Sequence, residues 1–458
     1  MGIYRKNDGP YKPKPTPFGG FHDGVPAQSG PHLLVSGPSG VGKSRRVIGP
    51  GILMWDGPCV AISSKPDLID LCLQQRLAWG GQGHTYVLDL SGEVPGEVLP
   101  VGVEKVIIDP VALISTDDEA IDLATILMKA GSAGSSSSAT GSGGDAFWET
   151  LATAPLAAIL RAAGDDGIAW ARSAVGRQAP PIDESGEIDH HDTESPCWAN
   201  AIGRLEEAGC EMLAHELSSA AELEAKMRDS VTITMKSALA PWWRSTVVGR
   251  GTERAFVPEM LEHPRSTLFI VAPATGVAAG AAVAAVDAIS AHWRRGQTRP
   301  EPLPGLLLAV DELCNTLPWP KLPTVITEAR AMGIAVLAAV QATSQFARRY
   351  GSDGMTELRE VFPATLVLVG APEKEILEKA AWAHGRSERQ KISSDHQGKQ
   401  SQSSELTEVF HGSDLLPQDI DHGRLLRGAP AGSTSPKVRE AGLLVDLVDI
   451  SQIPFHAT

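Results

Sequence analysis

Eight consecutive residues, Gly37-Pro38-Ser39-Gly40-Val41-Gly42-Lys43-Ser44, fit the spacing G-x-x-x-x-G-K-[ST]. Each residue type has a physical reason to be there. Glycines lack the side chains that would keep backbone N–H groups from wrapping phosphate oxygens at a helix start. Lys43 then acts as a point charge on the β- and γ-phosphates, and the Ser44 hydroxyl ligates Mg²⁺. Gly37, Gly40, Val41, Gly42, Lys43, Ser44 and the following Arg45 are the candidate nucleotide-binding set. A loop of this kind needs a carboxylate on a neighbouring strand for the metal and an acid that takes a proton from attacking water. The run Leu306-Leu307-Leu308-Ala309-Val310-Asp311-Glu312 offers both, with Asp311 as metal ligand and Glu312 as general base.

Two further residues have weaker claims. Gln341 ends the apolar run Ala335–Val340, where it reads either as a surface glutamine or as a group that senses a γ-phosphate or orients water. Arg330, in Thr327–Gly333, is either an exposed helix-end arginine suited to the dipole there or a finger reaching a neighbouring subunit's nucleotide. Lys65 and Asp67 either line the pocket or start the next helix.

These residues must be positioned by strands, and the chain has the right ones. His32–Ser36, Cys59–Ser63, Thr85–Asp89, Thr267–Val271, Leu306–Val310, Ala335–Val340 and Thr365–Val369 are short, continuously apolar and separated by helical patterns. That is the pattern of parallel strands buried on both faces. The fold expected is α/β, a P-loop NTPase with a doubly wound, mostly parallel sheet. Asp311 lies much further from Lys43 than the ~30 residues of one βαβ unit, so something is inserted between them. The insertion expected is all-α, residues 146–245, because strand-like runs are largely missing there.

The remaining divisions follow from composition. Residues 1–30, rich in Pro, Gly and Lys, are expected as an extended arm, and 31–130 with 246–458 as the nucleotide-binding domain. Residues 131–145 are expected as a flexible linker, since eleven of the fourteen from Gly131 to Gly144 are Gly or Ser. The polar segment Arg386–Glu405 reads as a surface excursion. Leu268–Val286 is uncharged over 19 residues, nearly a membrane span. Pro273 splits it, however, into a buried strand and a buried Ala-rich helix.

Length, composition and charge exclude several classes. With 458 residues, 42% apolar and 21% charged, coiled coil, collagen and wholesale disorder are out. A net charge of −15 argues against a surface coated for nonspecific nucleic-acid binding, though not against a local basic groove. Five scattered cysteines with no CxxC pair read as reduced thiols in a cytoplasmic protein. His190-His191-Asp192 lacks further ligands at metal spacing. Trp242-Trp243-Arg244 reads as packing ahead of base stacking.

The residues resemble, in order, the ATPase part of type IV secretion coupling proteins of the TraG/TraD-like kind. The resemblance runs through GPSGVGKS (Gly37–Ser44), SSKPDLID (Ser63–Asp70), Asp145-Ala146-Phe147-Trp148, the block Leu306–Ile334 and Val340–Gly351, with a weaker echo over Leu415–Pro430. The stretch from Leu306 to Gly351 is its most specific part. It implies an ATP- and Mg²⁺-dependent ring, a homo-hexamer, that moves DNA or a DNA–protein complex. It makes Arg330 the leading candidate for the trans arginine and Gln341 for the γ-phosphate sensor. It also turns the helical insertion toward DNA or a relaxase-bound cargo. Such proteins ordinarily carry N-terminal transmembrane helices, so an anchor is expected from a separate membrane or secretion component, or else the chain works as a soluble variant. Leu313 stands where an aromatic residue is common in the family. The alternatives are a DNA pump unrelated to secretion and a nucleotide-gated adaptor that recruits substrate with little turnover.

Overall fold

The computed structural model describes residues 16–134, 143–182, 188–189, 191–273, 278–328, 331–394, 400–427 and 442–453. Among them the strands are β1 (Phe21–His22), β2 (Val25–Pro26), β3 (His32–Ser36), β4 (Cys59–Ser63), β5 (Thr85–Asp89), β6 (Val103–Ile107) and β7 (Arg254–Ala255). Further along come β8 (Thr267–Val271), β9 (Leu306–Val310), β10 (Ile334–Val340), β11 (Ala364–Leu368), β12 (Arg386–Ser394), β13 (Gln400–Glu408), β14 (His422–Arg427) and β15 (Leu443–Asp446). Thirteen of these form one sheet in the order β2-β1-β15-β14-β11-β3-β10-β9-β4-β8-β5-β6-β7. From β11 to β7 all neighbours are parallel, whereas β14, β15, β1 and β2 close one edge antiparallel. The α/β fold with a mostly parallel sheet is therefore as expected.

The central strands read as unbroken apolar runs because successive side chains enter different cores. Leu34, Val60, Ile62, Leu308 and Val310 point to one face, where they pack with the helical layer. Leu33, Val35, Ala61, Leu307 and Ala309 point to the other, with Val47, Ile48 and Ile52 of the helices after the phosphate loop and Leu68, Cys72 and Leu73 of helix Asp67–Gly80.

Three expectations about organisation need correction. Residues 16–30 are not an extended arm. Phe18 and Ala27 are buried, Ser29 Oγ donates to the Pro17 carbonyl at 2.6 Å, and β1 pairs with β15. Phe18 packs edge-on against Phe21 with centroids 5.1 Å apart, an apolar anchor that the Pro- and Gly-rich composition obscures. The stretch 131–145 is entered from both sides by helices, Asp117–Gly134 and Gly143–Ala163. Residues 135–142 lie outside the described residues. The helical layer reaches back to Asp117, because Leu123, Ala124 and Leu127 share one core with Leu156, Ile159 and Leu160.

Arg386–Glu405 proves to be the greater part of an antiparallel hairpin, β12–β13, in register from Arg386 opposite Glu408 to Ser394 opposite Gln400 and separate from the main sheet. Its polar residues carry no alternating apolar signal, so periodicity does not reveal the strands. Leu268–Val286 divides into β8 and the buried helix Ala279–Gly296, and no helix among the described residues is long and apolar enough to cross a membrane. All five cysteines are buried and unpaired.

Candidate nucleotide site

The site forms where three parallel strands end side by side. In the order β3-β10-β9, Ser36 lies opposite Val340, and Val310 opposite Ala338. The phosphate loop, Gln341 and the Asp311-Glu312 pair therefore leave the sheet at one edge. Gly37 N–H donates to the Val340 carbonyl at 3.2 Å, tying the first loop residue to the β10 terminus. Gly40 and Gly42 adopt φ of 86° and 87°, a region that a side chain disfavours and that turns the loop back toward the helix beginning at Ser44.

Lys43, Ser44, Asp311 and Glu312 come together. Lys43 Nζ donates to the carbonyls of Gly37 (2.6 Å) and Pro38 (2.8 Å), which holds the ammonium inside the loop. Ser44 Oγ donates to Asp311 Oδ2 at 2.5 Å, joining residues 267 positions apart. Burial lowers the Lys43 pKa from its usual value, while the Asp311 and Glu312 carboxylates pull it back up. Burial likewise raises Asp311. The Ser44 hydrogen bond and Lys43 oppose that rise, and Asp67 and Glu312 add to it. A cation and several acids thus interact in one partly dry place, the electrostatic setting that a divalent ion between carboxylate and hydroxyl oxygens would relieve. The donor set, a hydroxyl, a carboxylate, a lysine and glycine-exposed N–H groups, fits a magnesium nucleotide.

Glu312 has an unusual backbone. Its φ of 55° and ψ of 50° put a non-glycine residue in the left-handed region, a conformation that costs of order 1–3 kcal/mol and clusters at functional sites. Its own N–H donates to Asp311 Oδ1 at 3.1 Å, and Ser64 Oγ donates to Glu312 Oε2 at 3.2 Å. The carbonyl of Glu312 accepts from Asn315 and Thr316 at 2.8 and 3.1 Å, so the short helix Leu313–Thr316 fixes the turn.

The other candidates fall differently. Gln341 is half-buried at the β10 terminus, and its N–H donates to Gln345 Oε1 at 3.1 Å. Arg45 is engaged in a salt bridge. Its Nε and Nη2 grip Asp449 at 2.8 and 2.9 Å, while Arg46 Nη1 reaches Asp421 Oδ1 at 2.8 Å and the Leu447 carbonyl at 2.9 Å. The Asp449 partnership raises the Arg45 pKa. Arg330 lies outside the described residues. His190 does too, and no cluster of metal-ligating side chains occurs among the described residues. Trp242 is buried with Nε1 donating to the Ile108 carbonyl at 2.8 Å, whereas Trp243 is exposed under the Arg172 guanidinium.

Sequence reasoning missed Ser64 and left Asp67 open. Both follow β4, which lies against β9 so closely that Asp311 N–H donates to the Ile62 carbonyl at 2.8 Å. Asp67 begins helix Asp67–Gly80 and accepts from Ser63 Oγ at 2.6 Å. The polar Ser63-Ser64 pair at the end of an otherwise apolar strand was the available signal.

Residues 305–420 match the family model described as the TraM recognition site of TraD and TraG. No curated protein matches the chain. Among solved structures, the bacterial conjugative coupling protein TrwBdeltaN70 in its unbound monoclinic form is 16% identical, covers 97% of this chain and 92% of its own, and superposes with a TM-score of 0.58. The plasmid coupling protein TrwB in complex with ADP and Mg²⁺ gives 18%, 97%, 91% and 0.59. Its complex with the non-hydrolysable ATP analogue ADPNP gives 17%, 97%, 92% and 0.60. The resemblance to TraG/TraD-like coupling proteins drawn from the motifs is thus borne out, by the family model over residues 305–420 and by the fold along nearly the whole chain.

Proposed function

We propose that the chain is an ATPase of the conjugative coupling type, coupling ATP hydrolysis to movement of DNA or a DNA–protein complex. The observation that carries this reading is the contact of Ser44 with Asp311, with Lys43 and Glu312 in electrostatic reach of the same carboxylate. The similarity to TrwB, described with ADP and Mg²⁺ and with ADPNP, supports ATP and Mg²⁺ as the ligands.

In this reading the loop from Gly37 to Ser44 orients the phosphates through backbone N–H groups, and Lys43 offsets negative charge on them. Ser44 and Asp311 would hold Mg²⁺, which would supply charge neutralisation to the phosphates. Ser64 steadies Glu312 through Oε2, leaving Oε1 to take the proton of an attacking water. Gln341, rooted beside Gly37, responds to the γ-phosphate. Arg330 serves a neighbouring subunit in a six-membered ring, and the helical layer meets the DNA. The match to a TraM recognition segment supports a DNA-bound relaxosome partner, a relaxase among them.

The test is steady-state ATP hydrolysis with and without DNA, in wild type and Glu312→Gln. DNA-stimulated turnover that the substitution removes is expected. Turnover indifferent to both would leave no motor, and nucleotide binding without turnover would favour the adaptor.

A further inference from the structure

Behind the phosphate loop lies a buried carboxylate to which the reading above gives no role. Glu373 is 2% exposed, and its carboxylate accepts hydrogen bonds from the ends of two neighbouring strands, where side chains join segments that the sheet already pairs. Ser36 Oγ, on the last residue of β3 before Gly37, donates to Oε1 at 2.6 Å. Thr343 N–H, two residues beyond Gln341, donates to the same oxygen at 2.7 Å, and Thr343 Oγ1 donates to Oε2 at 2.6 Å. Arg359 Nε in turn donates to Thr343 Oγ1 at 2.7 Å, and its Nη1 reaches Glu375 at 2.5 Å. An isolated carboxylate at this depth would be costly, and these donors are what offset the cost. The roots of the phosphate loop and of the Gln341 loop are therefore held by one side chain.

The backbone of the same residue begins the helix Lys374–His384, with Leu377 N–H donating to the Glu373 carbonyl at 3.1 Å. That helix borders a groove of about 820 Å³ whose walls include Leu377, Trp382, Glu408 and His411. Trp382 is 73% exposed there. A shift of Ser36 or Thr343 thus has a short, hydrogen-bonded route to a solvent-facing helix.

We infer that Glu373 is a positioning residue that locks the phosphate-loop root to the Gln341 loop and carries the nucleotide state to helix Lys374–His384 and its groove. This rests on the nucleotide reading above. The order of donors makes the link specific. Thr343 Oγ1 gives its only proton to Glu373 and receives one from Arg359, so a second donor in place of the carboxylate oxygen conflicts with the chain.

The test is hydrogen exchange on the full chain with and without Mg²⁺ and ADPNP. In wild type, ADPNP is expected to slow exchange both in residues 37–44 and in 374–384. Glu373→Gln and Thr343→Val should keep the protection of 37–44 and lose that of 374–384, and Thr343→Ser should restore it. Where Glu373→Gln does not fold, the Val and Ser variants at 343 decide. Protection of 37–44 alone in wild type, or a helix response that survives Thr343→Val, overturns the coupling and leaves the nucleotide site intact. No protection of 37–44 in wild type overturns the nucleotide reading itself, and the coupling falls with it.

Discussion

Among single residues, Glu312 has the clearest division between holding and reacting. Its strained backbone is fixed by Asn315 and Thr316, and one carboxylate oxygen is already engaged by Ser64. Glu312→Gln keeps that shape and removes the base, so turnover should drop by ~10²–10⁴-fold while binding of a fluorescent ATP analogue persists. A variant that loses binding along with turnover would show Glu312 to be a structural acid. His32 gives a pH prediction. Burial lowers its pKa from 6.5 to about 4, its Nδ1 accepts from Val336 N–H at 3.1 Å, and its Nε2 has no partner among the described residues. The unfolded chain takes up the proton first, so stability should fall as pH drops from about 6.5 to about 4 and gain nothing further from this group below that. The full effect is on the order of 3 kcal/mol. Denaturant midpoints across that range should flatten in His32→Asn, whose amide oxygen can still accept from Val336.

At the scale of elements, the sequence was most legible where burial was most complete. Strands β3, β4, β5, β8 and β9 coincide with their apolar runs because both faces are covered, which confines polar residues such as His32, Ser36, Ser63 and Asp89 to the strand ends. Strand β6, VEKVI, is only partly buried and carries Glu104 and Lys105, while the antiparallel β14 mixes half-buried with buried positions and β15 exposed with buried ones, so no such signal survives in the primary structure. The site divides along the same line. Lys43 and Asp311 are announced by local spacing, whereas Glu373 acquires its partners only when residues 36, 343 and 373 converge. The hairpin β12–β13 is a separable element, since its sheet is its own and Val409 N–H donates to the Gly385 carbonyl at its base. Replacing residues 386–408 with a short Gly-Ser turn should move the melting temperature by less than about 2 °C, the equivalent of roughly 1–2 kcal/mol for a cooperative unit of this length. A collapse of the fold would mean that the hairpin supports the main sheet.

Over the whole molecule, the helical layer and one sheet face share a single core, in which Leu156, Ile159, Trp198 and Trp242 pack with Val60, Leu268 and Leu308. Calorimetry should therefore give one unfolding transition. Trp242→Ala, which removes a fully buried ring and its bond to Ile108, should lower stability by ~3–5 kcal/mol without splitting that transition. Two transitions in wild type would separate the helices from the sheet. The position of β3 has a different outcome. It lies between β10 and β11, so the strand that carries the phosphate loop is made early yet completes its pairing only with segments such as Val336, 304 residues on from His32. At ribosomal speeds of ~5–20 residues per second, this greasy stretch waits on the order of tens of seconds for its neighbours. The nascent chain should therefore depend on holdase chaperones and refold slowly after dilution from urea. A circular permutant that begins near residue 300, and so makes β9, β10 and β11 before β3, should shorten that dependence.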